Sequence, residues 1–256
     1  MSNYKFNAEA VKNACICSIR NWFAENGPDC NAVIGISGGK DSTVAAALLV
    51  EALGKDRVIG IMMPNGNQSD LDDAKAVCKH LGILSDVINI QDAYLDVISS
   101  LTGSKLVRKV SDQTAINLAP RLRMSYLYAI SQSLNGRVIN TSNFSEDFVG
   151  YATRYGDTAG DFAPLAKLTV EEVKAIGYAL HLPAYLIKKA PADGLVGKTD
   201  EDNLGFTYQE LDDMLRRNIK PAQSKYERIM ALHNKNKFKL EPMPCFVPAY
   251  DLLYAS

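Results

Sequence analysis

No stretch of this sequence approaches the roughly 18 uninterrupted apolar residues that a membrane-crossing helix needs. Nor does the stretch from Met1 to Arg20, interrupted by Lys5, Glu9, Lys12 and Arg20, offer an apolar core of signal-peptide length. Neither sign of charge dominates: 28 lysines and arginines face 29 acidic residues, for a net charge of −1. A nucleic-acid binder carries a basic excess or stripe, and none is present. Small anionic ligands stay possible, since one local site needs only a few cations. Cysteine is used sparsely, at positions 15, 17, 30, 78 and 245. A single C-x-C pair with no second pair is a poor zinc site, and an odd, irregular set is no disulfide framework. Free thiols in a reducing cytoplasm are expected. Internal repeats and low-complexity segments are also absent.

What is present suits a soluble globular protein, with 47% hydrophobic and 22% charged residues. A chain of 256 residues can bury one large core with helical additions, and it is too short for two full-sized catalytic domains. A single unit over residues 1–256 is the expectation. Helical spacing of Val11, Cys15, Ile19, Trp22 and Phe23 predicts a first helix over Asn7–Ala24, ended by Gly27-Pro28. Apolar runs at Ala32–Ile36 and Val58–Met63 read as buried parallel strands, followed by a third at Asp86–Ile90 and a fourth at Arg137–Thr141. Helices are predicted over Val44–Leu53, from the capping pattern at Ser69 to Leu81, over Ala93–Leu101 and over Leu122–Leu134. Thr169-x-x-Glu172, Thr207-x-x-Glu210 and Ser224-x-x-Glu227 each open another. Between them lie a basic excursion with Lys105, Arg108 and Lys109, and a long glycine-bearing loop from Asn143 to Pro164. A loop of that length inside a compact domain is usually functional. Strands alternating with helices predict an α/β fold with a doubly wound parallel sheet and a helical C-terminal extension.

The most informative segment is Ser37-Gly38-Gly39-Lys40-Asp41-Ser42-Thr43, between the first strand and its helix. Ligands of open parallel sheets bind beyond the carboxyl ends of the strands. Two glycines let the backbone approach an anion, and the helix start adds its dipole. Ser37, Ser42 and Thr43 can donate to phosphate oxygens. Asp41 would repel a bare phosphate and makes sense beside a cation such as magnesium. The plainer alternative is a glycine turn with an N-cap and no ligand. A Walker A loop is excluded, since G-x-x-x-x-G-K-[ST] requires glycine at Ile34 and Ser or Thr at Asp41. A first-strand G-x-G-x-x-G is missing too.

The loop resembles the SGGxDS pyrophosphate loop of the ATP-pyrophosphatase superfamily, whose members split ATP to AMP and pyrophosphate while activating a carboxylate or carbonyl. Further segments are similar to the NAD synthetase family. Asn117 to Met124 matches N-x-x-x-R-x-R-M through Arg121 and Arg123. Thr141 to Glu146 matches T-x-N-x-S-E, and Gly150 to Asp157 with Asp161 matches G-x-x-T-x-Y-G-D and a later aspartate. Lys189 to Leu195 and Asp200 to Gly205 resemble a flap over ATP, and the basic tail at His233, Lys235, Lys237 and Lys239 resembles a His-Lys element. Read without the resemblance, Arg121 and Arg123 are an exposed basic helix start and Glu146 a surface carboxylate. The chain departs from the pattern at Ala192, where a hydroxyl residue is usual, and at Val170, where many relatives carry lysine.

The resemblance implies an adenine nucleotide alpha hydrolase-like sheet and a ligase that amidates nicotinic acid adenine dinucleotide (deamido-NAD) with ATP and ammonia. It implies ATP contacts at Gly35, Ile36, Ser37, Gly38, Gly39, Lys40, Asp41, Ser42, Thr141, Lys189 and Ala192, and magnesium at Asp41 and Glu146. Arg121, Arg154, Asp161 and Lys239 would meet the dinucleotide. Lys40 and Lys189 would stabilise phosphates, with Asp157 or Asp161 as base for ammonia. A homodimer with the dinucleotide at the subunit interface is implied as well. The first strand arrives by Ala32, which leaves no room before it for a glutaminase domain, so free ammonia is the expected donor. The alternatives are another adenylating ATP-pyrophosphatase or a nucleotide sensor without turnover.

Overall fold

The computed structural model of the chain describes residues 4–188 and 199–248. Four short strands, β1 (Asn31–Gly35), β2 (Val58–Met62), β3 (Leu84–Val87) and β4 (Gly136–Ile139), form one parallel sheet in the order β3-β2-β1-β4. Successive side chains of a strand face opposite ways, so each strand supplies two cores. Ala32, Ile34, Val58 and Met62 pack against α1 (Ala8–Asn26), α2 (Lys40–Leu53) and α7 (Val170–Ala179). Val33, Ile59 and Ile61 pack on the other face against α5 (Asp112–Ser133), through Leu122, Tyr126, Leu127 and Ile130. Helices on both faces are why the strands read as unbroken apolar runs. The expected α/β, doubly wound architecture is the one observed.

Local signals account for most boundaries. The Asn7 side chain accepts from the Ala10 N–H at 3.0 Å and starts α1, and Gly27 closes it on the Phe23 carbonyl. The boxes at Thr169 and Thr207 form as predicted, opening α7 and α10 (Tyr208–Asp212). Two others do not. Asp70, without a side-chain cap, precedes α3 (Leu71–Leu81), and Ala222 precedes α11 (Gln223–Asn236). The long helix α5 begins at Ser111, whose hydroxyl accepts from the Thr114 N–H at 3.1 Å, and runs through Pro120. The proline displaces the predicted start to Leu122, because its ring usually marks a helix boundary. Strand β3 lies two residues earlier than predicted. Its ladder nevertheless persists to Ile90, through bonds from Ile88 to Met62 and from Ile90 to Pro64.

The stretch after β4 holds α6 (Phe144–Val149), too short to show a helical period. Asn143 caps its start and Gly150 its end. A third cluster joins α6 to α9 (Asp200–Leu204), α10 and α11 through Val149, Leu204, Leu211 and Ile229. The helical extension therefore continues the main body through α6. All five cysteines are free, and among the described residues no helix is long and apolar enough to cross a membrane.

Gly150 has a positive φ of 63°, and a Cβ there would run into Asn236 of α11. A left-handed backbone costs an L-residue about 1–2 kcal/mol, and the clash adds to it. Gly150→Ala is expected to destabilise the protein by at least that amount, read as a lower urea midpoint.

Candidate active site

Strands β1 and β4 are adjacent, and the strand order reverses between them: the chain runs outward from β1 through β2 to β3 and returns to β4 on the other side, which opens a crevice at their carboxyl ends. Into it runs the glycine loop. Gly38 has a φ of 76°, and an added Cβ would lie 2.9 Å from the Ala74 N and 3.0 Å from the Asp70 O of the α3 start. Only glycine meets both conditions. Gly39 begins α2 with no side-chain cap, which leaves first-turn N–H groups available to an anion. The hydroxyls are less free than the sequence suggested. Ser42 Oγ and Thr43 Oγ1 donate to the Gly39 carbonyl at 3.1 and 2.8 Å, and Ser37 Oγ lies 3.1 Å from Ser42 Oγ.

Lys40 is 3% exposed, with its Nζ 2.8 Å from Asp41 and 3.7 Å from Glu146. Burial favours the neutral amine, but the two carboxylates outweigh it and hold the ammonium above its ordinary range. Asp41 also accepts from Asn143 Nδ2 at 3.1 Å, so the residue that caps α6 orients the carboxylate of α2. Glu146 is pushed up to about 8, first by burial and then by Asp41, against the pull of Lys40 and Asn143. One fifth of its side-chain surface remains open, so water screens part of that rise. With both ionised the pair would carry more negative charge than one lysine neutralises, and that repulsion is part of what keeps the proton on Glu146.

Beside the loop lies a cavity of ≈ 340 Å³, lined by Gly35, Ile36, Ser37, Met63, Arg123, Thr141 and Asp157. Arg123 donates to the Met63 carbonyl at 2.9 Å and to Gln68 at 3.3 Å. Asp157 accepts from the Thr153 N–H at 2.6 Å, and burial raises its proton affinity. A second cavity, ≈ 480 Å³, is lined by Asp147, Asp161, Lys167, His233 and Lys237 among others.

The implied dinucleotide residues divide. Asp161 faces the second cavity, while its two oxygens accept from the Val138 N–H at 2.7 Å and the Tyr128 hydroxyl at 3.3 Å. Arg121 and Arg154 adjoin, the first donating to the carbonyl of the second at 3.3 Å. The Arg154 guanidinium lies 5.0 Å from the Tyr155 ring and 5.5 Å from Phe238. Lys239 is occupied elsewhere, donating to the carbonyls of Gly150 at 2.8 Å and Ala152 at 3.1 Å. Lys237 lines the cavity in its stead. Lys189 and Ala192 fall outside the described residues. Sequence reasoning missed Asn143 as a site residue, although an Asn before a helical turn is a capping signal. It also missed Tyr208, which no motif singled out.

The chain has counterparts among known proteins. The NAD synthase family model matches residues 11–243. The chain belongs to the NAD synthase family. The NH(3)-dependent NAD(+) synthetase of Pyrococcus furiosus is 42% identical over 196 residues, 76% of this chain and 74% of that protein. Among solved structures, an NMN synthetase from Francisella tularensis superposes with a TM-score of 0.86 at 34% identity, over 96% of this chain and all of that one. The NH3-dependent NAD synthetase of Campylobacter jejuni, solved with nitrate, gives 0.76 at 30% identity, over 95% of this chain and all of that one. The fold and family expected from the sequence are therefore those found.

The raised Glu146 makes a pH prediction with a definite sign. A carboxyl whose folded value lies above its unfolded value stabilises most when protonated in both states, and that contribution is lost as pH rises. Without divalent cation, the unfolding midpoint should fall as pH rises from about 4.5 toward 8. Glu146→Gln should flatten that part of the profile in a calorimetric series, and magnesium should offset the loss in the wild type.

Proposed function

We propose that the protein is an ammonia-dependent NAD synthetase. The acceptor carboxylate attacks the α-phosphorus of ATP, and pyrophosphate leaves to give an acyl-adenylate. Ammonia then attacks the acyl carbon, AMP leaves, and the amide remains once the nitrogen has lost its proton. The observation that carries this reading is the uncapped start of α2 beside a buried Lys40, at the mouth of a cavity of nucleotide scale. No covalent protein nucleophile is needed. The chain positions anionic groups and stabilises developing charge.

In this reading the backbone from Gly35 to Ser42 and the side chain of Lys40 hold the triphosphate, and Thr141 adjoins the nucleoside. Asp41 and Glu146 fit magnesium, which binds proteins through one or two carboxylates and takes its other ligands from phosphates and water. The raised proton affinity of Glu146 beside Asp41, which a cation would relieve, supports the fit, and no cluster of three or more acidic, His or Cys ligands occurs among the described residues. The ion would neutralise and orient the phosphates. Asp157 suits the base for ammonia better than Asp161, because burial raises its proton affinity and Asp161 is bonded to β4. Asp161, Arg154 and Arg121 remain candidates for the acceptor, with Lys237 ahead of Lys239.

The chain would work as a homodimer. Helix α4 (Gln91–Thr102) has no buried residue, and Ser131 is the only buried residue of the 22 in α5. Leu95 and Ile116 are each 52% exposed, so an apolar face awaits a second copy, and Arg121 stands on that helix. Five free thiols suit the cytoplasm. The likeness to an NMN synthetase supports a second reading, in which the acceptor is the deamidated mononucleotide.

The deciding experiment incubates protein, ATP and magnesium with either deamidated acceptor, supplying ammonium or glutamine as nitrogen donor. Equal yields of NAD, AMP and pyrophosphate from the dinucleotide and ammonium alone are expected. A higher kcat/KM for the mononucleotide would select the second reading, and intact ATP in every tube would exclude both. Sedimentation should give twice the 28.0 kDa chain mass; a monomer at working concentration would remove the dimer.

A further inference from the structure

Tyr208 is 4% exposed, and its hydroxyl has no hydrogen-bond partner among the described residues. Its ring packs with Val149, Leu204, Phe206, Leu211 and Ile229, a setting that phenylalanine would fill without a polar atom to desolvate. A buried hydroxyl left unpaired weakens a fold, and its presence calls for a cause outside the packing. The charged groups acting on that hydroxyl are those of the phosphate-loop cluster. Glu146 acts most strongly, then Asp200 and Asp41. Lys40 Nζ stands 5.8 Å from the ring centroid.

The neighbouring carboxylates have other donors. Asp41 takes Lys40 and Asn143, and Asp200 takes the Tyr151 hydroxyl at 3.2 Å. The Tyr208 hydroxyl is thus a donor on the border of the same charged cluster, with no acceptor of its own. Burial beside three carboxylates keeps the phenol protonated, so at neutral pH it can donate to an anionic oxygen.

We propose that the Tyr208 hydroxyl donates a hydrogen bond to an oxygen of the ATP triphosphate held between the phosphate loop and Glu146. The proposal rests on the ATP-using reading above. It adds a contact from α10, in the helical extension, to those of the loop and α6. A bond to an ionised acceptor is among the stronger hydrogen bonds, and it would exist only with nucleotide bound.

Tyr208→Phe separates this from a packing role. Titration calorimetry with inorganic pyrophosphate and magnesium should show affinity weaker by about tenfold to a hundredfold. The thermal midpoint should stay level or rise, since an unpaired hydroxyl has gone. Unchanged pyrophosphate affinity would overturn the proposal, and so would weaker binding accompanied by a lower midpoint. A wild-type protein that neither binds pyrophosphate nor consumes ATP would remove the underlying reading, and that outcome is visible before any variant is made.

Discussion

A lysine ammonium removed from water, with a carboxylate on either side, organises this structure. An ion buried without partners costs several kcal/mol even after relaxation, and removing one member of a buried pair typically costs about 3–5 kcal/mol. Lys40 therefore needs Asp41 from its own helix and Glu146 from α6. Those two carboxylates then have to be held, and Asn143 does this from both sides: its Oδ1 accepts the Glu146 N–H at 3.0 Å while its Nδ2 donates to Asp41. One charge thereby fixes the start of α2 against the start of α6. With every carboxylate ionised, Asp200 included, the arrangement would be over-negative for a lone lysine, and the proton on Glu146 relieves it. A site optimised for stability alone would balance its charges. This one holds a buried carboxyl whose proton affinity is raised by burial and by its neighbours, a perturbation of the kind that clusters at functional sites.

Local rules made much of this legible. The strands announced themselves as short Val/Ile runs because both faces of the sheet are covered. The geometry of the glycine loop was readable because its glycines have one use each: Gly38 for a positive φ against α3, and Gly39 for an uncapped helix start. Where two local rules compete, the reading slips. Pro120 looks like a boundary yet lies inside α5, which is capped well upstream at Ser111 and gives up one helical hydrogen bond at the proline. Ser69 and Ser224 match a capping pattern in spacing only: Asp70 takes the cap position of α3, and Ser224 lies inside α11.

Side-chain partnerships across the fold lay beyond the sequence. The tail resembled a substrate-binding element, yet spacing does not tell which lysine points inward. In the structure His233, Asn236 and Lys239, three residues apart along α11 and the turn after it, reach Phe148, Val149 and Gly150 in succession. They cap the carbonyl end of α6, where a cation and two donors complement the helix dipole. Lys237 is out of that phase and so faces the cavity. Tyr208 was invisible for a related reason. A tyrosine at the start of a capped helix reads as core, and only the missing partner of its hydroxyl distinguishes it.

The position of the site follows from strand order. Running β1, β2, β3 outward and then returning to place β4 on the free side of β1 makes the chain diverge at one point of the sheet. The loop after β1 turns into α2 and the segment after β4 turns into α6, so the two helix starts, with their positive dipole ends, converge on the same crevice. Asp41 and Glu146 are distant in sequence and meet because each sits in the first turn of one of those helices. The dipoles lower the cost of gathering negative charge there, and the buried lysine lowers it further. What remains, besides burial, is the repulsion between Asp41 and Glu146, and the two keep a proton on Glu146. Topology chose the place, and three side chains set its charge.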